Sequence, residues 1–307
     1  MFHHFHGGKH IKSQGSLNAQ NFEQMIDWLN ERYRILDAYD YLESYLSNNL
    51  KNNDICLSFD DGLKCQFDIA FPVLQKKGIT AFFFVYSSVF TDKPDFLEIY
   101  RLFRTKMYAS MDDFYNEFFS LLKKRNEAKY NELFKIFNSI NYFHEFPFYT
   151  KNDKWFRFLR DKYLSKIRYS NIMKKLMLSK GFNYKNESKN LWMNEENIKL
   201  LNKEGHVIGL HSHSHPTQIT KLSYSNQKNE YKYNLKYLQK ILNCKIEAVS
   251  HPCGDYNEKT LEILERLGVK IGFRSNLAIK VIKSSLEIPR EDHSNVLNEM
   301  KNENNSI

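Results

Sequence analysis

Hydrophobic and polar positions recur along this chain with two different periods, and the switches between them lay out its elements. From Ser16 to Tyr33, Phe22, Met25, Ile26 and Leu29 fall at spacings of three and four, which predicts a surface helix with its apolar stripe in the core. Ile35 to Leu50 repeats the pattern with Tyr39, Leu42, Tyr45 and Leu46. The period then drops to two. Ile55, Leu57 and Phe59 alternate with smaller or polar residues, predicting a buried strand that ends at Asp60, Asp61 and Gly62. Helical spacing returns over Phe67 to Lys77, with Pro72 near its start and Gly78 at its end. Ile79 to Val85 is apolar but for Thr80, as in a strand covered on both faces, so strand, helix and strand form the βαβ unit of a parallel sheet. Ahead of all this, Phe2 to His6 alternates loosely and suggests a first strand, followed by a polar loop through Gly15.

Residues 87–190 have another texture: long, basic, aromatic and without strand patterns. Phe114, Phe118, Leu121 and Leu122 within Met111 to Ile140, and the apolar and basic repeats of Trp155 to Met177, predict two or three helices. This insertion is expected to act as a lid or cap, with an amphipathic membrane contact through Trp155 to Lys180 as the lesser alternative. The βα alternation resumes at Trp192 with a helix at Asn194 to Glu204, a strand at His206 to Leu210, a long helix at Ser223 to Leu242 and a strand at Ile246 to Val249. A helix at Thr260 to Gly268 and a strand at Lys270 to Phe273 follow, and residues 291–307 read as a polar tail with little to hold it.

Composition narrows the picture. With 307 residues and 42% hydrophobic content the chain can fill a sizeable core. Its 45 basic and 36 acidic residues give a formal charge of +9, a bias toward anionic partners, but the lysines are scattered and no basic stripe or stacking motif points to nucleic acid. The longest strongly apolar run, Ala81 to Val85, is far short of the roughly 20 residues that span a bilayer. No signal-peptide pattern is visible, so if Met1 is the natural start a cytoplasmic protein is expected, with peripheral membrane contact open. Cys56, Cys65, Cys244 and Cys253 have no CxxC spacing and are expected to be free thiols.

Three predicted strands end in clusters of chemically active residues: Asp60 with Asp61, His211 with His215, and Pro252, Cys253 and Gly254. In α/β architectures catalytic groups gather at the carboxyl ends of strands. Two histidines four apart are a common spacing for two ligands of one metal, and a carboxylate from another strand would complete a site suited to zinc. A histidine loop can also be merely polar; the aspartate pair at a matching strand end favours the metal.

These residues also carry a family resemblance. Ser58-Phe59-Asp60-Asp61-Gly62 resembles the first motif of the polysaccharide deacetylase family (carbohydrate esterase family 4, the NodB homology domain), usually Thr-Phe-Asp-Asp-Gly. His211 to His215 is similar to its second, His-Ser/Thr-x-x-His. Gly78 to Phe84 resembles the family's second core strand and Glu204 to Gly209 the approach to its second motif; the likeness spans residues 55–86 and 192 to about 275 and skips the insertion. It implies a distorted (β/α) barrel of about seven parallel strands over residues 1–86 and 191–290, with residues 87–190 inserted. It further implies one divalent metal, Zn2+ ahead of Co2+ or Mn2+, held by Asp61, His211 and His215. Asp60 would be the general base and the backbone amide of Cys253 the oxyanion donor.

The third motif departs from the family's Arg-x-Pro-Tyr-Gly, since Ser250-His251-Pro252-Cys253-Gly254 lacks the arginine that orients the base. Arg274 and Arg290 are the candidates to replace it. The late histidine that serves as general acid has no clear match either, leaving His293, His213, His251 or an N-terminal histidine. The expected activity is hydrolysis of an N-acyl, foremost N-acetyl, group of an amino sugar or glycan precursor. A formamide or other non-peptide C–N bond, and a non-catalytic glycan-binding protein, are the alternatives.

Overall fold

Short parallel strands alternating with helices build the part of the chain that bears the aspartate pair. A computed structural model describes residues 1–91, 94, 96–144, 149–278 and 281–304. Its chain divides into two compact units, Met1–Asp95 with Asn190–Ile307, and Phe96–Lys189. In chain order it begins with α1 (Ala19–Asn30), β1 (Arg34–Ile35), α2 (Ala38–Leu46), β2 (Asp54–Ile55), β3 (Ser58–Phe59), α3 (Phe71–Lys77) and β4 (Phe82–Val85). Next come α4 (Phe96–Met107), α5 (Met111–Arg125), α6 (Glu127–Ser139), α7 (Lys151–Phe158), α8 (Lys166–Ser179) and α9 (Tyr184–Glu187). The first unit then resumes with α10 (Glu195–Lys203), β5 (Val207–Leu210), α11 (Tyr224–Leu242), β6 (Ala248–Ser250), α12 (Glu258–Arg266), β7 (Ile271–Phe273) and α13 (His293–Asn304).

The main sheet has five strands in the order β3-β4-β5-β6-β7, all parallel, curled into a half-barrel with helices around it. The expected count of about seven strands is thus corrected: β1 and β2 pair only with each other. The run read as one strand ending at Phe59 breaks after Ile55, where Asp54 is held by Arg34 through two hydrogen bonds of 2.7 Å, and only β3 joins the main sheet. Beyond the edges, single bridges pair Phe2 with Phe59 and Ile288 with Phe273. The backbone N–H of His293 donates to the carbonyl of Met1 at 3.2 Å, joining the two flanks. Phe2 to His6 is therefore bridged backbone rather than a strand, yet Phe2 and Phe5 are buried as the alternation implied.

Successive strand residues face opposite sides, so β4 supplies two aromatic layers. Phe83 stacks on Phe59 at 4.6 Å, with Phe2, Phe5 and Phe22 nearby, while Phe82 and Phe84 pack against Phe273 on the other face. Gly209 of β5 lies opposite Phe84, where a Cβ would meet that ring at 2.5 Å and the Ala248 carbonyl at 2.9 Å. The polar tail becomes α13 as far as Asn304, with Val296, Leu297 and Met300 against the core and Glu303 accepting from Trp28 and Arg32. Residues 305–307 lie outside the described residues.

The unit Phe96–Lys189 holds six α-helices and the π-helical turn Leu159–Tyr163 among its described residues, more than the two or three helices expected. The continuous patterns hid their breaks: Asn126 caps α6 by accepting from Lys129 N–H, and Ser165 caps α8 by accepting from Arg168 N–H. Its core is aromatic, with Phe103, Phe114, Phe118, Trp155 and Phe156 buried and Trp155 donating to the Tyr130 hydroxyl at 3.1 Å.

Candidate functional site

The carboxyl ends of β3 and β5 bring the aspartate pair and the two histidines together, Ser250 at the end of β6 meets both, and the backbone at these strand ends is bent. Asp61, Ser212, His215 and Cys253 all adopt left-handed φ, between 51° and 78°, a conformation that costs non-glycine residues free energy and collects at functional turns. Gly62 follows Asp61 at φ 61°, completing the reversal. Two atoms fasten the Asp60 backbone: its N–H donates to the Phe2 carbonyl at 3.1 Å, and its carbonyl accepts from Gln66 Nε2 at 2.6 Å. Gln66 also donates to the His3 carbonyl at 2.9 Å, so it ties the N-terminal segment to this strand end. It begins a π-helical turn, Gln66–Ala70, where a regular helix was expected; such turns are frequent beside functional sites.

One ligand atom each from Asp61, His211 and His215 lies within 4.8 Å of the others. Nε2 of both histidines stands 3.3 Å from Asp61 Oδ1, which is buried and accepts no hydrogen bond of ordinary geometry. His211 Nδ1 is 2.8 Å from the Ser250 carbonyl. A carbonyl only accepts, so Nδ1 carries the proton and Nε2 presents its lone pair toward Asp61, the arrangement of a metal-ligating histidine. The ring of His215 packs 5.2 Å from Tyr86, whose hydroxyl accepts from Trp192 Nε1 at 2.6 Å. One carboxylate and two imidazoles around an orphaned buried oxygen fit a divalent cation.

Helix α11 supports the histidine loop from below. Asn234, fully buried, accepts the His211 N–H and donates to the Val85 carbonyl, both at 2.9 Å, stitching β5 to β4. One turn earlier, Glu230 accepts from His213 N–H at 3.1 Å and from Ser214 N–H and Oγ at 2.7 Å. Neither residue stood out in sequence. The available signal was a polar Asn234 on the buried stripe with Tyr231, Leu235 and Leu238.

Arg290 is the partner of Asp60. Its NH1 and NH2 meet Oδ1 and Oδ2 at 2.8 and 2.7 Å, and both side chains are buried. Its Nε donates to the Arg274 carbonyl at 2.6 Å, while the hydroxyls of Ser58 and Ser250 take the other two N–H groups at 3.1 and 2.7 Å. All five guanidinium donors are thereby used. Burial would raise the Asp60 carboxyl; the Arg290 charge more than offsets this and holds it well below the carboxylate range. Arg274 donates to Asn276 instead.

Among the candidate acids, His3 is the one beside Asp60, with Nε2 3.9 Å from Oδ2. Burial lowers its pKa, against the pull of Asp61 and Asp60. His293, His251 and His213 are engaged elsewhere: His293 Nε2 donates to the Gly15 carbonyl at 2.8 Å, His251 Nε2 to the Leu286 carbonyl at 2.7 Å, and His213 Nδ1 meets Ser87 Oγ at 2.9 Å. Cys253 is exposed, three residues beyond Ser250 in the turn Pro252–Gly254. All four cysteines are free thiols.

A family model for polysaccharide deacetylase matches residues 171–272. No curated protein matches the chain in sequence. Streptococcus pyogenes deacetylase PplD, solved in complex with acetate, is similar at 16% identity and TM-score 0.55, covering 97% of this chain and 95% of its own. IcaB from Ammonifex degensii gives 14% and 0.57 over 97% and 93%. A de-N-acetylase from Aggregatibacter actinomycetemcomitans gives 12% and 0.51 over 97% of both chains. At such identities the likeness is one of fold. Residues 171–272 are thus similar to the polysaccharide deacetylase family, and the chain shares the barrel-like fold of the deacetylase PplD and of IcaB.

Proposed function

We propose that the chain is a metal-dependent hydrolase that removes an N-acyl group, foremost N-acetyl, from an amino sugar or glycan precursor. The observation that carries this reading is the convergence of Asp61, His211 and His215 around one point, with the Asp60–Arg290 pair beside it. The donor set suits Zn2+, with Co2+ or Mn2+ as substitutes. When bound, a divalent cation lowers the pKa of a coordinated water and polarises the amide carbonyl.

The chain's own residues supply the rest. Asp60, kept ionised and aimed by Arg290, accepts a proton from the attacking water as its oxygen adds to the acyl carbon. The N–H of Cys253 donates to the oxyanion. His3 gives a proton to the nitrogen as the C–N bond breaks, leaving a free carboxylate and an amine. The acetate bound in PplD and the de-N-acetylase activity named for the Aggregatibacter protein support acetate and nitrogen as the two sides of that bond.

The test follows amine release from N-acetylglucosamine oligomers. Release is expected to require added zinc or cobalt, to stop on chelation, and to vanish in Asp60→Asn while one metal per chain still binds. Release that survives chelation or Asp60→Asn overturns the reading, as does saturable oligomer binding without product under every metal. Formate release without acetate release would reassign the acyl group.

A further inference from the structure

Helix α8 presents a surface for which the deacetylase reading has no use. Ile167 and Leu178 are 73% and 83% exposed, the highest values among large apolar side chains of the described residues. They lie eleven residues apart on one helix. At about 100° per residue, eleven steps return to within about 20° of the starting direction, so both side chains project from one line along the helix, three turns apart. The opposite face is already satisfied, with Tyr169, Met173, Leu176 and Met177 buried. Single exposed leucines are ordinary on any protein surface. Here the two most exposed of all share one helix face.

Charge indicates what covers that face. Between Asp161 and Glu187 the sequence has seven lysines and arginines and no acidic residue, in a chain with 36 acidic residues. Lys166, Arg168, Lys174 and Lys175 are exposed on α8 itself. No helix among the described residues is long and apolar enough to cross a membrane. We infer that α8 lies on an anionic lipid surface, with Ile167 and Leu178 entering the acyl boundary and the basic side chains against headgroup phosphates. A nucleic acid would engage the same lysines but gains nothing from Ile167 and Leu178, and the tyrosine of α8, Tyr169, is buried and offers no base a stacking face. The inference is independent of the deacetylase reading, because it concerns binding and not turnover.

The test sediments the full chain with vesicles of phosphatidylcholine alone or mixed equally with phosphatidylglycerol. Binding is expected only to the mixed vesicles and is expected to weaken in 0.5 M salt. Ile167→Asp with Leu178→Asp should lower vesicle affinity at least tenfold, and so should Lys174→Glu with Lys175→Glu, with unchanged circular dichroism. If the aspartates disturb the helix, Ile167→Gln with Leu178→Gln replaces them. No binding to the mixed vesicles overturns the inference, as does binding that the apolar substitutions leave unchanged. An oligonucleotide bound as tightly as the vesicles, with affinity insensitive to positions 167 and 178, would mark a general polyanion patch and overturn it as well.

Discussion

Replacing Arg290 by methionine isolates the interaction on which the Asp60 end of the site rests. Methionine fills much of the same volume but supplies none of the five hydrogen bonds that the guanidinium donates. The Asp60 and Arg290 side chains are only 4% and 5% exposed, so solvent screens the pair little. Two unit charges about 4 Å apart at an effective dielectric near 20 interact by about 4 kcal/mol. Removing one partner of a buried pair costs about 3–5 kcal/mol, because the other charge stays desolvated. Arg290→Met should therefore lose about that much in urea unfolding. Adding Asp60→Asn removes the stranded charge, so the double variant should recover part of the loss, with a coupling of about 2 kcal/mol or more. A loss below about 1 kcal/mol for Arg290→Met, or strictly additive effects, would show that the pair does not hold Asp60.

Asn234→Leu removes the bridge between β4 and the His211 backbone; zinc affinity by competition titration should fall about 10- to 100-fold, as for other groups that orient metal ligands. His206 is buried, accepts the Ala81 N–H at Nδ1, and burial lowers its pKa from 6.5 to about 4. The unfolded chain thus takes up a proton below pH 6.5 that the folded chain refuses until about pH 4. Stability present above 6.5 is lost as pH falls, by about 2 kcal/mol between pH 7 and pH 5. Urea melts at the two pH values should show this slope, and His206→Gln should flatten it. Gly209→Ala places a methyl 2.5 Å from the Phe84 ring; a stability loss of about 1–3 kcal/mol is expected, read from thermal melts. His3→Ala should lower turnover with metal content unchanged, whereas His293→Ala should leave the chemical step intact; the reverse outcome would move the proton donor.

Much of the fold was legible because a buried strand or helix leaves a short-range signature. The apolar periods located α1, α3, β4, β5 and α11 to within a few residues. The insertion was less legible, since Asn126 and Ser165 break helices without interrupting the apolar spacing. The tail was misread because the three apolar residues of α13 are spread through a polar segment and gain their meaning only against the core.

The sequence by itself determined that Asp60, Asp61, His211 and His215 stand at strand ends, because strand periodicity and adjacent residues are local properties. Only the tertiary structure decided that Arg290, 230 residues from Asp60, completes the ion pair in place of Arg274. It likewise set His3 beside the pair while sending His251 and His293 to backbone carbonyls. The physical reason is that a buried charge must find a partner in space. Which arginine or histidine reaches it depends on how the irregular segments at both edges of the half-barrel meet, and no local pattern encodes that meeting.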